Sequence, residues 1–172
     1  MARASTKANK NIYQKTRENL GFSREKASEV LVSLTPDRIE KIESEKSIPH
    51  PDEVLAMAEG YKAPNLCNFY CSRECAIGQQ YIPEIKIKDL SQIVLEMLAS
   101  LNSMNKKKER LIEITAVGEI DGEEIEDFIY IQDELERISI TVETLRLWSE
   151  KMLATGAIDN EQYQQYKAKH KK

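Results

Sequence analysis

Between Phe22 and Pro51 the chain runs FSREKASEVLVSLTPDRIEKIESEKSIPHP, and no other stretch constrains its fold as tightly. At the centre of that stretch is a helix start. Thr35 offers a side-chain oxygen to the first unpaired backbone N–H groups. Pro36 fills the first helical position, where its missing N–H has no partner to lose, and Asp37 suits the positive end of the helix dipole. Leu34, Ile39 and Ile42 give this helix its buried face. Upstream, Ser23 caps another helix with apolar positions Ala27, Val30 and Leu31, although Lys26 stands where a capping box would place a glutamate. Before it, a helix starting near Asn9 to Asn11 runs through Ile12, Tyr13, Thr16 and Arg17 to Leu20, and Gly21 stops it. Downstream, Pro49 and Pro51 close the loop, and Pro51-Asp52-Glu53 opens a helix through Val54, Leu55, Met57 and Ala58. Up to about Tyr61 the pattern predicts four helices in a compact bundle.

The remaining chain also reads as helical. Only 6 glycines and 5 prolines occur in 172 residues, too few for the turns of a many-stranded sheet. Residues 64–88 read as a connector carrying Cys67, Cys71 and Cys75, then Gly78, Pro83 and an extended EIKIK from Glu84 to Lys88. From Leu90 the spacing changes to four and three. Leu90, Val94, Met97, Leu101, Met104, Leu111 and Thr115 follow it, interrupted by the polar run Asn105 to Lys108. After Gly118 to Gly122, with Asp121 and Glu124 as a capping-box-like start, Phe128, Ile131, Leu135, Ile138, Val142, Leu145 and Met152 resume it. A 3.5-residue repeat on two stretches joined by a glycine turn predicts an antiparallel helical hairpin over 89–158 with a coiled-coil-like seam. Gly156 ends the second arm, and 159–172 read as a basic, frayed tail.

Several function classes fall away on composition. No apolar run reaches the roughly 18 residues of a membrane span. The N-terminus MARASTKANKNIYQK is basic without an apolar core, unlike a secretory signal. Three cysteines, an odd number, fit reduced thiols in the cytoplasm. No nucleophile–base arrangement or phosphate loop stands out, so the expectation is a protein that is not an enzyme and needs no cofactor. Net charge is −4, but Arg3, Lys7, Lys10, Lys15 and Arg17 gather at the N-terminal end without an acid among them. Acidity peaks between Glu109 and Glu150.

On SREKASEVL, LTPDRIEKIE and the following ESEKSIPHPDEVLAMAE, residues 10–63 resemble the lambda-repressor-like Xre/Cro family of helix-turn-helix DNA-binding proteins. The most specific element is Ile42-Glu43, a short polar loop, Lys46, then Ile48-Pro49-His50-Pro51. The chain departs from the family in its turn, where Val32-Ser33-Leu34 is one residue longer and lacks glycine, and at Arg24, where glutamine is common. The resemblance implies double-stranded DNA as partner, with Arg24 at a phosphate. It also implies Pro36, Asp37, Arg38 and Lys41 facing the major groove, and Lys46 and Ser47 at the backbone. Arg38 would read guanine with its forked head, and the basic arm before Tyr13 would reach the adjacent minor groove or phosphates.

The expectation is thus an all-α regulator of Xre type. A helix-turn-helix domain with a basic arm spans 1–63, and a C-terminal hairpin forms the homodimer that binds operator DNA. Two other readings stay open. Asp37, Glu40, Glu43 and Glu45 oppose Arg38, Lys41 and Lys46, which keeps open an adaptor, or an antitoxin-like chain that binds a protein partner. The i, i+4, i+8 spacing of Cys67, Cys71 and Cys75 puts three thiols on one helical face, where zinc or an iron–sulfur cluster could sit with His50 as a conceivable fourth ligand. Neither interval is C-x2-C, and buried cysteine is ordinary packing material.

Overall fold

A computed structural model describes residues 10–117, 120, 122 and 124–170, with 115–117 through their backbone alone. Arg3 and Lys7 of the basic arm and Asp121 of the hairpin turn lie outside the described residues, as does the side chain of Thr115. Among those residues the secondary structure is entirely helical, and no helix is long and apolar enough to cross a membrane. The chain forms two compact units, residues 1–84 with 149–172, and residues 85–148.

In the first unit each early helix begins at a side-chain cap. Helix α1 (Ile12–Asn19) starts at Asn11, whose side chain accepts from the Gln14 N–H at 2.9 Å. Helix α2 (Arg24–Leu31) starts at Ser23 and α3 (Pro36–Glu43) at Thr35, accepting from Lys26 and Arg38 N–H groups at 3.1 and 3.2 Å. Each cap satisfies a donor the helix would otherwise leave open. Helix α4 (Pro51–Gly60) follows, and Glu53 accepts from the His50 N–H at 2.7 Å.

The core joins Tyr13 of α1, Ala27 and Leu31 of α2, Leu34, Ile39 and Ile42 around α3, and Val54 and Met57 of α4. Burying each large aliphatic side chain contributes about 1.5–3 kcal/mol. Two glycines mark close approaches. A Cβ on Gly60 would meet Leu31 Cδ2 at 2.6 Å, and one on Gly78 would lie 2.0 Å from the Cys71 carbonyl oxygen.

The connector expected over 64–88 is helical for much of its length. Helix α5 (Asn65–Arg73) and the single turn α6 (Gly78–Tyr81) form there. Leu66 is fully buried, and Phe69 meets Tyr13 edge-on with ring centroids 6.1 Å apart. The 3-4 spacing of Leu66, Phe69 and Tyr70 supplies an apolar face that the cysteines obscured. The turn from Glu74 to Ile77 separates α5 from α6, and the stretch from Ile82 to Asp89, containing EIKIK, is extended or irregular. The tail expected to fray instead carries helix α9 (Asn160–Lys169), capped by Asp159, whose carboxylate accepts from the Gln162 N–H at 2.8 Å.

In the second unit, α7 (Leu90–Val117) and α8, which begins at Ile125 and runs on to Thr155, pack as an antiparallel pair. Asp127 ties them, accepting from Lys107 at 2.9 Å and Arg110 at 2.8 Å. Ser103 and Tyr130 hydrogen bond across the same interface. The seam is the expected one at Met97, Met104, Leu111, Ile131, Ile138 and Leu145, which are half-buried or buried, but not throughout. Val94, Leu101, Leu135 and Val142 are 42–50% exposed, whereas Ser100, Glu134 and Thr141 are buried beside Ile93, Ile114 and Ile131. At these alternate positions the hairpin packs on the preceding, mostly more polar residue. Its polar members find partners: Glu134 accepts from Arg137 at 2.8 Å, and Thr141 donates to the Arg137 carbonyl at 2.8 Å.

Candidate nucleic-acid interface

Helices α2 and α3 are joined by the residues from Val32 to Thr35. The turn is made at Val32, which adopts φ 57° and ψ −44° while remaining 88% exposed. Ser28 donates to the Leu34 carbonyl at 2.6 Å and holds the far side of the turn. Leu34, buried to 1%, then locks the start of α3 into the core. The longer, glycine-free turn is therefore accommodated by a β-branched residue in a left-handed conformation.

Two ionic clamps hold α3 from within. Glu43 is 4% exposed and accepts from Arg17 Nε at 2.5 Å, Arg17 Nη2 at 2.9 Å and Arg24 Nε at 2.9 Å. Arg17 also donates to the Phe22 carbonyl. Burial is the largest single influence and opposes the Arg17 charge, but the hydrogen bonds and charge of Glu43, with Tyr61 and Glu18, together outweigh it and raise its pKa. Tyr61 sits against this pair. Its hydroxyl is buried without a hydrogen-bond partner among the described residues, and burial pushes its phenol far above the ordinary range.

The second clamp gives Arg38 partners within its own chain. Its guanidinium grips Glu53 with two hydrogen bonds of 2.6 Å, donates to the Ser47 hydroxyl, and reaches the Ile48 carbonyl at 3.2 Å. A fork committed to a carboxylate inside its own chain does not present itself to a guanine edge. Arg38 therefore positions α3, α4 and the intervening loop. Ser47, expected at the DNA backbone, spends its hydroxyl as an acceptor for Arg38. The Arg38 hydrogen bonds hold the Glu53 carboxyl below the usual range, against a smaller opposing effect of burial.

The outward face of α3 carries Asp37, Lys41 and the half-buried Glu40, and Lys46 follows it. Lys41 pairs with Asp37 at 2.7 Å and Lys46 with Glu40 at 3.1 Å. The Lys41 hydrogen bond keeps the Asp37 carboxyl below its ordinary value. Exposed pairs of this kind contribute little and exchange readily with other anions. Pro36 is half-buried at the first turn, and Arg24, with only Nε on Glu43, keeps both terminal nitrogens free of hydrogen bonds among the described residues. Lys15 on α1 is exposed as well. Arg24, Asp37, Lys41 and Lys46 thus remain surface groups of the α2–α3 region, while the half-buried Arg38 and Ser47 are engaged with each other and Arg38 with Glu53.

Arg17, Glu43 and Glu53 were missed as a framework in the sequence. Glu43 had a legible signal, since it lies one turn beyond Ile39 on the buried side. The partners Arg17 and Glu53 lie on other helices, and no local pattern announces them. Burying Glu43 also removes one of the four acids counted against DNA on this face.

The cysteines do not assemble a metal site. Cys67 packs against the core, and burial, followed by the neighbouring Cys71, raises its thiol pKa. Cys75 Sγ accepts from the Gly78 N–H at 3.5 Å. No group of three histidine, cysteine or acidic side chains among the described residues has a metal-holding arrangement. In comparisons with known proteins, no family model, no curated protein and no solved structure matches the chain.

Proposed function

We infer that the protein is a cytoplasmic, sequence-specific DNA-binding regulator of Xre type that reads operator DNA as a homodimer through its C-terminal helices. The observation that carries this reading is the outer face of α3. The helix is capped at Thr35 and clamped from within by Glu43 and Arg38, while Lys41 and Lys46 stand exposed and held only by surface acids. Phosphates can replace those acids, and each replacement releases counterions. Arg24 adds a partly exposed guanidinium at the start of α2.

Selection of bound sequences from random double-stranded DNA tests the reading. The expected result is an enriched motif whose affinity falls with salt. For Lys46→Ala the logarithmic salt slope should be shallower by about 1. Enrichment of no motif refutes the reading. It would favour the second one, a protein-binding adaptor, which the apolar residues left exposed on the hairpin support.

A further inference from the structure

The hairpin of α7 and α8 leaves its more apolar side uncovered. Leu90, Val94, Leu98 and Leu101 on α7 are 41–52% exposed, and Leu135 and Val142 on α8 are 50% and 49% exposed. Four of these six residues follow the seam by one position: Val94 follows Ile93, Leu101 follows Ser100, Leu135 follows Glu134 and Val142 follows Thr141. One residue is a rotation of about 100°. A rotation in the same chain direction on two antiparallel helices turns both stripes to the same side of the pair. The register that joins Ser103 to Tyr130 and Lys107 to Asp127 sets Leu98 roughly level with Leu135, so the two stripes form one patch.

We propose that this patch is the docking surface for a second copy of the chain, the two hairpins closing into a four-helix bundle. The inference rests on the two-copy part of the reading above and not on its DNA part. Three observations select a second copy. The patch exposes on the order of 500 Å² of apolar surface, well over half of the roughly 800 Å² that one partner buries in a standard interface. Gln132 and Ser139, which flank Leu135 and Val142 on the side of α8 away from the seam, are exposed and uncharged. Identical patches therefore meet across a two-fold axis without like-charge repulsion. The seam within one hairpin takes in polar residues, with Ser100, Glu134 and Thr141 buried in it, and leaves Leu101, Leu135 and Val142 outside. A bundle of two hairpins gives each helix the wide apolar arc that four-helix packing uses.

Sedimentation equilibrium of the full chain tests this. The wild type is expected to be dimeric at about 10 µM, with a dissociation constant in the micromolar range or below. Leu98→Glu should raise that constant at least about 100-fold, and Leu98→Ala and Leu135→Ala about tenfold each, with helical circular dichroism unchanged. The two alanine variants carry the test if the glutamate variant does not fold. A monomeric wild type at about 100 µM overturns the proposal. So does an unchanged constant in both alanine variants. A monomer that still enriches a DNA motif removes the surface and leaves the DNA reading standing; a dimer that enriches none does the reverse.

Discussion

Replacing Val32 with glycine should stabilise the first unit. Valine at φ 57° has its branched Cβ in the region that L residues avoid, a strain of about 1–3 kcal/mol. The side chain is 88% exposed, so its removal forfeits almost no burial. Against the relief stands the greater freedom of glycine in the unfolded chain, worth about 0.5–1 kcal/mol. The balance is a gain of about 1 kcal/mol, or roughly 4 °C in Tm for a unit of this size. Urea and thermal unfolding of the full chain, followed by circular dichroism, read it out. Val32→Ala is the control, because it removes the branch but keeps the Cβ, and it should gain less than the glycine variant. A loss of about 1 kcal/mol in Val32→Gly, the cost of glycine at an unstrained position, would refute the reasoning. It would mean that the turn does not hold Val32 in the left-handed region.

Two further outcomes follow from the buried polar groups. Tyr61→Phe removes a hydroxyl with no partner among the described residues, so unfolding should show a change between zero and about 1 kcal/mol in favour of the variant, and a clear loss would reveal a hydrogen bond there. The Glu53 carboxyl titrates lower in the folded chain than in the unfolded one because of Arg38. Its contribution is therefore complete above the unfolded value, near pH 4.3, and is lost as pH falls through the folded value. Glu53→Gln should flatten the fall in stability between about pH 5 and pH 3, measured by urea unfolding, and an unaltered profile would exclude the Arg38 clamp as its source.

Local chemistry was legible and distant chemistry was not. Ser23, Thr35-Pro36-Asp37 and Gly156 announced helix ends because a cap and its target lie within a few residues. Arg38 read as a groove residue because its position on α3 suggested it. Its actual partner, Glu53, belongs to the next helix and is defined only once the loop between them closes. The hairpin was visible as a repeat, yet only half of its phase was, at positions such as Met97 and Ile131. Val94 and Ile93, or Leu135 and Glu134, offer neighbouring frames, and the choice depends on cross-helix pairs such as Lys107 with Asp127. Helices α5 and α9 were underread for another reason. Leu66, Phe69 and Tyr70 in one, and the Asp159 cap in the other, are helix signals that cysteine spacing and terminal position outweighed.

The two glycines pressed against neighbouring elements differ in what could replace them over evolutionary time. At Gly60 the obstacle is Leu31 Cδ2, the end of a side chain. A larger residue there is tolerable when position 31 shrinks, so the two sites can drift as a size-matched pair. At Gly78 the obstacle is the Cys71 carbonyl, part of the main chain. No substitution elsewhere trims a backbone oxygen, so the corner between α5 and α6 can change only by rebuilding both helices together.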